Sequence, residues 1–345
     1  MVNIYDAAGE DGAFQYQTGS IGAGFLINTT GNTFRSLSNG SYAYARCSIQ
    51  VFGGNHMIRI WPAGVRSVAS VGMRVSCNSS SGDPLGLFIG LVDGAGVVRI
   101  ALRNTLTTNG PGGPYNVYKI DALGTLTLLG TTSGGFSILP TSPDQFTMNY
   151  NYSTSGSLVM YVNGNQIFSF TGDVTTDGLT ALGGSYHGSY LNGGAENCSY
   201  SEVVVVDTDA RNVALVTSEG AGPGTLDQWT GAVTNVNEIQ VNDTNFDTTA
   251  VSGSVQRYAM SAIGTGNFTI VGKVTSLRCT QGTGLLSHIA QAELINGTPV
   301  VGSAQAFPPA FQEVLFIEQV NPVTGVAFTQ GDINGARESG YQATT

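Results

Sequence analysis

FTMNYNYSTSGSLVMYVNGNQIFSFTGD, residues 146–173, decides the fold. Leu158, Met160 and Val162 alternate with Val159 and Tyr161 at period two. Asn163-Gly164 supplies the pair a tight primed turn wants, and Ile167, Phe168 and Phe170 begin a returning strand. Both faces are partly apolar, so the hairpin belongs to a sheet that packs on something, and no helical period competes with this reading.

The rest of the chain has the same texture. In 345 residues there are 48 glycines and 11 prolines, with none of the long Ala/Leu/Glu/Lys-rich stretches that helices need. Strand-like runs fall at 24–28, 42–52, 56–61, 72–77, 86–92, 97–101, 115–120, 125–129, 146–152, 157–162, 166–170 and 200–206. They are punctuated by SSSGDP, NGPGGP and TTSGG. The fold class is all-β, and this spacing predicts a two-sheet sandwich. The continuous apolar run in YSEVVVVD, 200–207, reads as a buried closing strand.

Three parts are expected: an N-terminal arm or edge strand at 1–20, a large sandwich at 21–212, and a smaller β-sandwich at 213–345. SEGAGPGTLDQWTGA, 218–232, reads as a turn-rich linker or loop after the boundary. In the second sandwich, strands are expected at 236–241, 256–260, 268–276, 285–293 and 311–319, and a turn of helix at 330–334.

Charged residues make up 10% of the chain, against roughly a quarter in an ordinary domain. Such a surface takes its polarity from Ser, Thr, Asn and backbone, which suits a protein held in an assembly. Thirteen basic against 23 acidic residues give a net charge of −10, which argues against gripping nucleic acid through phosphates. The N-terminus MVNIYDAAGEDG has no signal-peptide pattern and no window approaches a membrane span, so synthesis in a cytoplasm and no membrane insertion are expected. Cys47, Cys77, Cys198 and Cys279 are scattered and read as buried thiols ahead of disulfides or metal ligands.

The order of three segments adds a resemblance. GSYAYARCSIQ (40–50), SLVMYVNGNQIFSFTGD (157–173) and SEVVVVDTDARN (201–212) resemble the concanavalin A-like jelly rolls of tailed-bacteriophage structural proteins. LDQWTGA (226–232), NEIQVND (237–243) and NPVTGVAFTQGDINGARESGYQ (321–342) are similar to the β-domain that follows in such proteins. The resemblance implies a virion component of tail, fibre, collar or head-decoration type. It implies attachment to neighbouring virion proteins and, for a spike or fibre, a homotrimer; made in the host cytoplasm and lacking a catalytic motif, the chain is expected to be no enzyme. The alternatives left open are a module that recognises host surface polysaccharide and, behind it, a depolymerase.

The candidate chemistry is sparse. Glycosidases of this architecture need paired carboxylates on one sheet face, but Glu202 and Asp207 fall on opposite faces of a regular strand, and Asp207 and Asp209 read as turn or cap residues. His56, His187 and His288 stand apart from any nucleophile motif. Asp243, Asn245 and Asp247 occupy the first, third and fifth places of a calcium-type loop, but Thr248 and Ser254 stand where Gly and Glu are required. GSIGAG, 19–24, lacks dinucleotide-binding spacing. No catalytic, metal or cofactor site is expected. Trp61 and Trp229 read as core or interface. The remaining candidate is the Gly-rich segment GGSYHGSYLNGG, 183–194, in which Tyr186, His187, Tyr190 and Asn192 would form a loop platform for a neutral glycan.

Overall fold

The computed structural model describes residues 2–8, 33–36, 47–52, 56–77, 87–104, 113–136, 143–188, 197–213, 215–216, 218, 220–236, 243–263, 269–335 and 337–345. It divides the chain into two compact units, Tyr5–Leu215 and Val216–Thr345, the latter together with the first four residues.

Among the described residues of the first unit fourteen strands run β1 (Ile4–Ala8), β2 (Thr33–Ser36), β3 (Cys47–Phe52), β4 (His56–Ile60), β5 (Val68–Cys77), β6 (Leu87–Val92), β7 (Val98–Asn104), β8 (Tyr115–Ile120), β9 (Leu126–Thr131), β10 (Asp144–Asn151), β11 (Gly156–Val162), β12 (Asn165–Gly172), β13 (Gly184–Gly188) and β14 (Asn197–Val206). They make an eight-stranded sheet, β12-β11-β10-β5-β14-β3-β2 with β1 beside β14, and a six-stranded sheet, β4-β13-β6-β7-β8-β9. This is a jelly-roll sandwich.

Alternation explains the packing. Met148, Leu158, Met160 and Phe168 point inward from the hairpin and its neighbour and meet Phe88, Leu91, Ile100, Leu102 and Val117 from the opposite sheet. Aromatic rings fill the centre: Phe88 lies edge-on to Phe136 at 5.2 Å, and Trp61 stacks on Tyr150 at 6.3 Å. Each such side chain contributes about 1.5–3 kcal/mol by leaving water. The turn between β11 and β12 is the primed type expected, with Asn163 at φ 51° and Gly164 at φ 78°.

The segment expected as an arm or edge strand begins with a strand, β1, while 9–32 lie outside the described residues. Other expectations change. GAGPGTLD, expected to be linker, is a strand, and so is the tail segment RESGYQAT. The glycines of β13 act inside a strand: a Cβ on Gly184 would lie 2.4 Å from the Arg59 carbonyl oxygen, and one on Gly188 2.3 Å from that of Leu87. They allow close approach of neighbouring strands.

The second unit contains β15 (Gly220–Asp227), β16 (Val255–Met260), β17 (Lys273–Cys279), β18 (His288–Ile295), β19 (Thr298–Val301), β20 (Gln305–Ala306), β21 (Gln312–Glu318) and β22 (Arg337–Thr344). One sheet has the order β15-β16-β22-β18-β19, with β20 beside β18, and the other is the pair β17-β21. The helix α1 (Gln330–Asn334) forms where the sequence predicts it, closed by a capping box between Thr329 and Asp332. Cys279 is buried, which pushes its thiol up to about 12. The side chains of the other three cysteines lie outside the described residues.

Here the core is split. Tyr258, Ile289, Val314, Phe316 and Tyr341 form one apolar cluster, and Ile295, Phe328 and Ile333 another. Charged side chains are buried beside them: Lys273 pairs with both Glu293 and Glu318, Arg337 lies 3.9 Å from Glu293, and Arg257 3.5 Å from Glu338. Desolvation raises the Glu318 pKa above its ordinary 4.5, Lys273 opposes that rise and Glu293 adds to it. A carboxyl raised on folding gives stability that is fully present below the unfolded value and is lost as pH rises through the folded one. Glu318→Gln should therefore gain stability relative to the parent as pH rises from 4.5 to 7. Urea-unfolding midpoints of the two proteins across that range check the sign.

Candidate functional site

The eight-stranded sheet has one face in the core, so its pleat must turn the other outward. Pairing aligns the outward residues in rows. Thr171, Ser157 and Asn151 share one row with Val68. Ser169, Val159 and Asn149 share the next with Ser70 and Val206, and Gln166, Tyr161 and Thr147 the third with Gly72 and Val204. Asn151, Gln166, Ser169 and Thr171 are exposed, and Ser157, Tyr161 and Asn149 half-buried. Apart from Val159, the projecting groups of β10, β11 and β12 are hydroxyls and amides.

A 3-10 turn, Ala210–Asn212, borders this surface. It can sit close because residue 72 is glycine: a Cβ there would be 3.0 Å from the Ala210 Cβ and 3.3 Å from Val204. A closed hydrogen-bond circuit fixes the turn. The Ala210 N–H donates to Ser70 Oγ at 2.8 Å, Ser70 donates to Asn149 Oδ1 at 2.5 Å, and Asn149 bonds Asp209. Asp209 accepts from the Arg211 guanidinium, with Nε 2.8 Å from Oδ2. That guanidinium lies 3.8 Å over the Tyr161 ring. Its hydrogen bonds hold the Asp209 carboxyl below the usual range.

Beside the turn, β14 carries a bulge between Ser201 and Val204, where Glu202 takes φ 50°. Non-glycine residues there cost on the order of 1–3 kcal/mol. The bulge changes the expected side-to-side alternation and brings the buried Glu202 carboxylate 3.4 Å from Arg74 Nε. Gly72, Arg74, Gln145, Glu202, Ala210 and Leu215 line a shallow recess open to solvent, with room inside for about one water. It is too tight for a sugar ring. Asp207 follows β14 and is exposed, so Glu202 is paired with a cation and not with a second carboxylate.

The expected loop platform is not where the sequence reading put it. Tyr186 and His187 lie in β13 and are 4% and 0% exposed, while Tyr190 and Asn192 lie outside the described residues. Tyr186 stacks on His56 at 5.2 Å; His187 Nε2 lies 2.9 Å from Ser185 Oγ, with the ring edge-on to Tyr200. Ser185 is itself fully buried, so this pair is shut off from any substrate.

The other candidates serve structure. Asp243 forks onto Arg278 at 2.7 and 2.8 Å. Asp247 accepts from the Tyr258 and Tyr341 hydroxyls and, at 2.9 Å, from Asn235 Nδ2. Asp243 therefore ties its loop to β17, and Asp247 ties it to β16 and β22. Trp229 packs edge-on against Tyr341 at 4.7 Å, and Trp61 is buried. Exposed His288 Nδ1 pairs with Ser287 Oγ at 2.7 Å. Among the described residues no three His, Cys, Asp or Glu gather as a metal site.

No family model matches the chain, and no curated protein does either. Among solved structures it is similar to the cellulose induced protein Cip1, at 13% identity and TM-score 0.38, over 54% of this chain and 88% of that one. It is similar to an endo-beta-1,4-glucuronan lyase from Trichoderma reesei, at 12% and 0.36, over 55% and 93%. A third is the carbohydrate binding module CBM66 from Bacillus subtilis, at 10% and 0.31, over 52% and 97%. These likenesses are distant, and the architecture stands on the strand order described above.

Burial lowers the His56 pKa to about 4 and the His187 pKa to about 3, from 6.5. Both rings are neutral in the fold and take up protons on unfolding, so stability present above pH 6.5 is lost as pH falls toward 4. The loss approaches about 1.4 kcal/mol per pH unit for each ring. The imidazole NMR signals of both should remain untitrated at pH 5.5; a midpoint near 6.5 for either would show that it is not held as described.

Proposed function

We propose that the jelly-roll unit is a non-catalytic polysaccharide-recognition module whose contact surface is the outer face of β10, β11 and β12. The observation that carries this reading is the set of uncharged donors and acceptors, Asn151, Ser157, Gln166, Ser169 and Thr171, held in register on a rigid sheet. A sugar polymer offers hydroxyls in a regular row and needs oriented partners more than a deep pocket. Strand pairing supplies that orientation before the ligand arrives, which reduces the ordering cost of binding. Each neutral hydrogen bond adds about 0.5–1.5 kcal/mol, so single-site affinity is modest and repeated copies of the chain would raise it through avidity.

The virion setting comes from the sequence resemblance, in which such a module would read host surface polysaccharide. A second reading, structural attachment within the particle, is favoured by the 10% charged content, which limits repulsion between copies. It calls for a homotrimer, and light scattering on the purified 35.8 kDa chain would give three times that mass; a monomer at all concentrations would remove it.

Recognition is tested by retention on immobilised bacterial capsular and O-antigen polysaccharides. The double variant Asn151→Ala/Thr171→Ala should bind about tenfold more weakly than the parent, the loss of two such bonds. Undiminished retention would exclude this face, and no retention of the parent on any polymer would exclude the function.

A further inference from the structure

We infer that Asp209 and Glu202 are specificity determinants that restrict the face to uncharged polysaccharide and exclude polymers bearing carboxylate or sulfate. This rests on the polysaccharide-recognition reading above. Among the described residues of β5, β10, β11, β12, β14 and the 209–212 turn, two cations stand on the face, Arg74 and Arg211. An unengaged arginine is a strong carboxylate receptor, because its planar fork matches the two oxygens of the anion. Here that capacity is met from within the chain for Arg211, and in part for Arg74, which makes one 3.4 Å contact. Arg211 gives its Nε to both Asp209 oxygens, at 3.0 and 2.8 Å, and its Nη2 to Oδ2 as well. Arg74 points its Nε at Glu202.

Neither acid is placed by accident. Asp209 is held by Asn149, which is held by Ser70, which the Ala210 backbone holds in turn, so swinging the carboxylate away would break a circuit joining two strands to the turn. Glu202 reaches Arg74 from a bulge with φ 50°, a conformation a non-glycine residue adopts at a cost. The four charges cancel in pairs, and the groups left projecting beside them are neutral. The net charge of −10 adds long-range repulsion against a polyanion. Uncharged sugar meets neither obstacle. Discrimination of this kind comes from refusing the wrong ligand as well as from fitting the right one.

The test uses the full chain, two uncharged probes (dextran and galactomannan) and two anionic ones (polygalacturonate and heparin), with host-derived neutral polysaccharide added to the first group. The parent should bind a neutral polymer with an affinity that changes less than about twofold between 20 and 300 mM salt, since no ion pair forms. Its affinity for the anionic polymers should be at least about tenfold weaker. Asp209→Asn keeps the turn's capping ability and removes the charge, releasing Arg211. This variant should gain about fivefold or more for polygalacturonate at 20 mM salt and lose the gain at 300 mM. Glu202→Gln, releasing Arg74, should move the same way, and a gain in either variant cannot arise from unfolding. A parent that prefers polyanions, or variants that both melt like the parent and gain nothing, would overturn the inference while leaving polysaccharide recognition standing. A parent that binds no polymer of either class would remove the recognition reading itself and this inference with it.

Discussion

The pleat of the hairpin strands is the constraint from which the rest of the jelly-roll unit follows. Once Leu158, Met160 and Val162 are driven into the core, Ser157, Val159 and Tyr161 have no choice of side, and pairing then imposes the same orientation on Asn149 and Asn151 across the ladder. A slip of one residue would expose Leu158 and Met160 and bury Ser157. Apolar burial therefore fixes the register, and the register fixes the arrangement of the polar face. The surface assigned to recognition is the obverse of the packing that makes the protein fold.

The hairpin was legible because its periodicity, its Asn-Gly turn and its apolar content all agree. The same local reading failed at β13, where Gly184 and Gly188 look like loop glycines. Their role is to let the Arg59 and Leu87 carbonyls approach, a demand set by neighbouring strands far away in sequence. The candidate site shifts with it, since Tyr186 and His187 read locally as exposed loop residues and are buried in a strand. The strand β15 was hidden for a related reason: GAGPGTLD is poor in strand formers, and its Pro223 is tolerated because β15 lies at the edge of its sheet. The circuit linking Ser70, Asn149, Asp209 and Arg211 joins residues about 140 positions apart and has no local signature. The one available hint was the DTDARN sequence, where an Asp two residues before Arg can cap a turn and hold the guanidinium at once.

The two units solve the problem of burial differently. The jelly roll has a continuous aromatic and aliphatic centre, and the few charges drawn inside it, such as Asp6 against Arg59 at 2.6 Å, are tightly paired. The second unit has two smaller apolar clusters with Lys273, Glu293 and Arg337 buried, and Glu318 half-buried, beside them. Buried ion pairs recover their desolvation cost only when geometry is good, so this unit depends on a charged interior network, whereas the jelly roll depends on keeping His56 and His187 neutral.

A rigid face lined with neutral hydrogen-bonding groups, its two arginines engaged by its own acids, is suited to reading an uncharged polymer by shape and hydroxyl pattern. Amide hydrogen exchange of the full chain, with and without the neutral polysaccharide it retains, tests this most directly. The account predicts added protection in β10, β11, β12 and the turn at 209–212, with β13 and the second unit unchanged. Protection confined to other segments, with the hairpin exchanging as in the free protein, would contradict it.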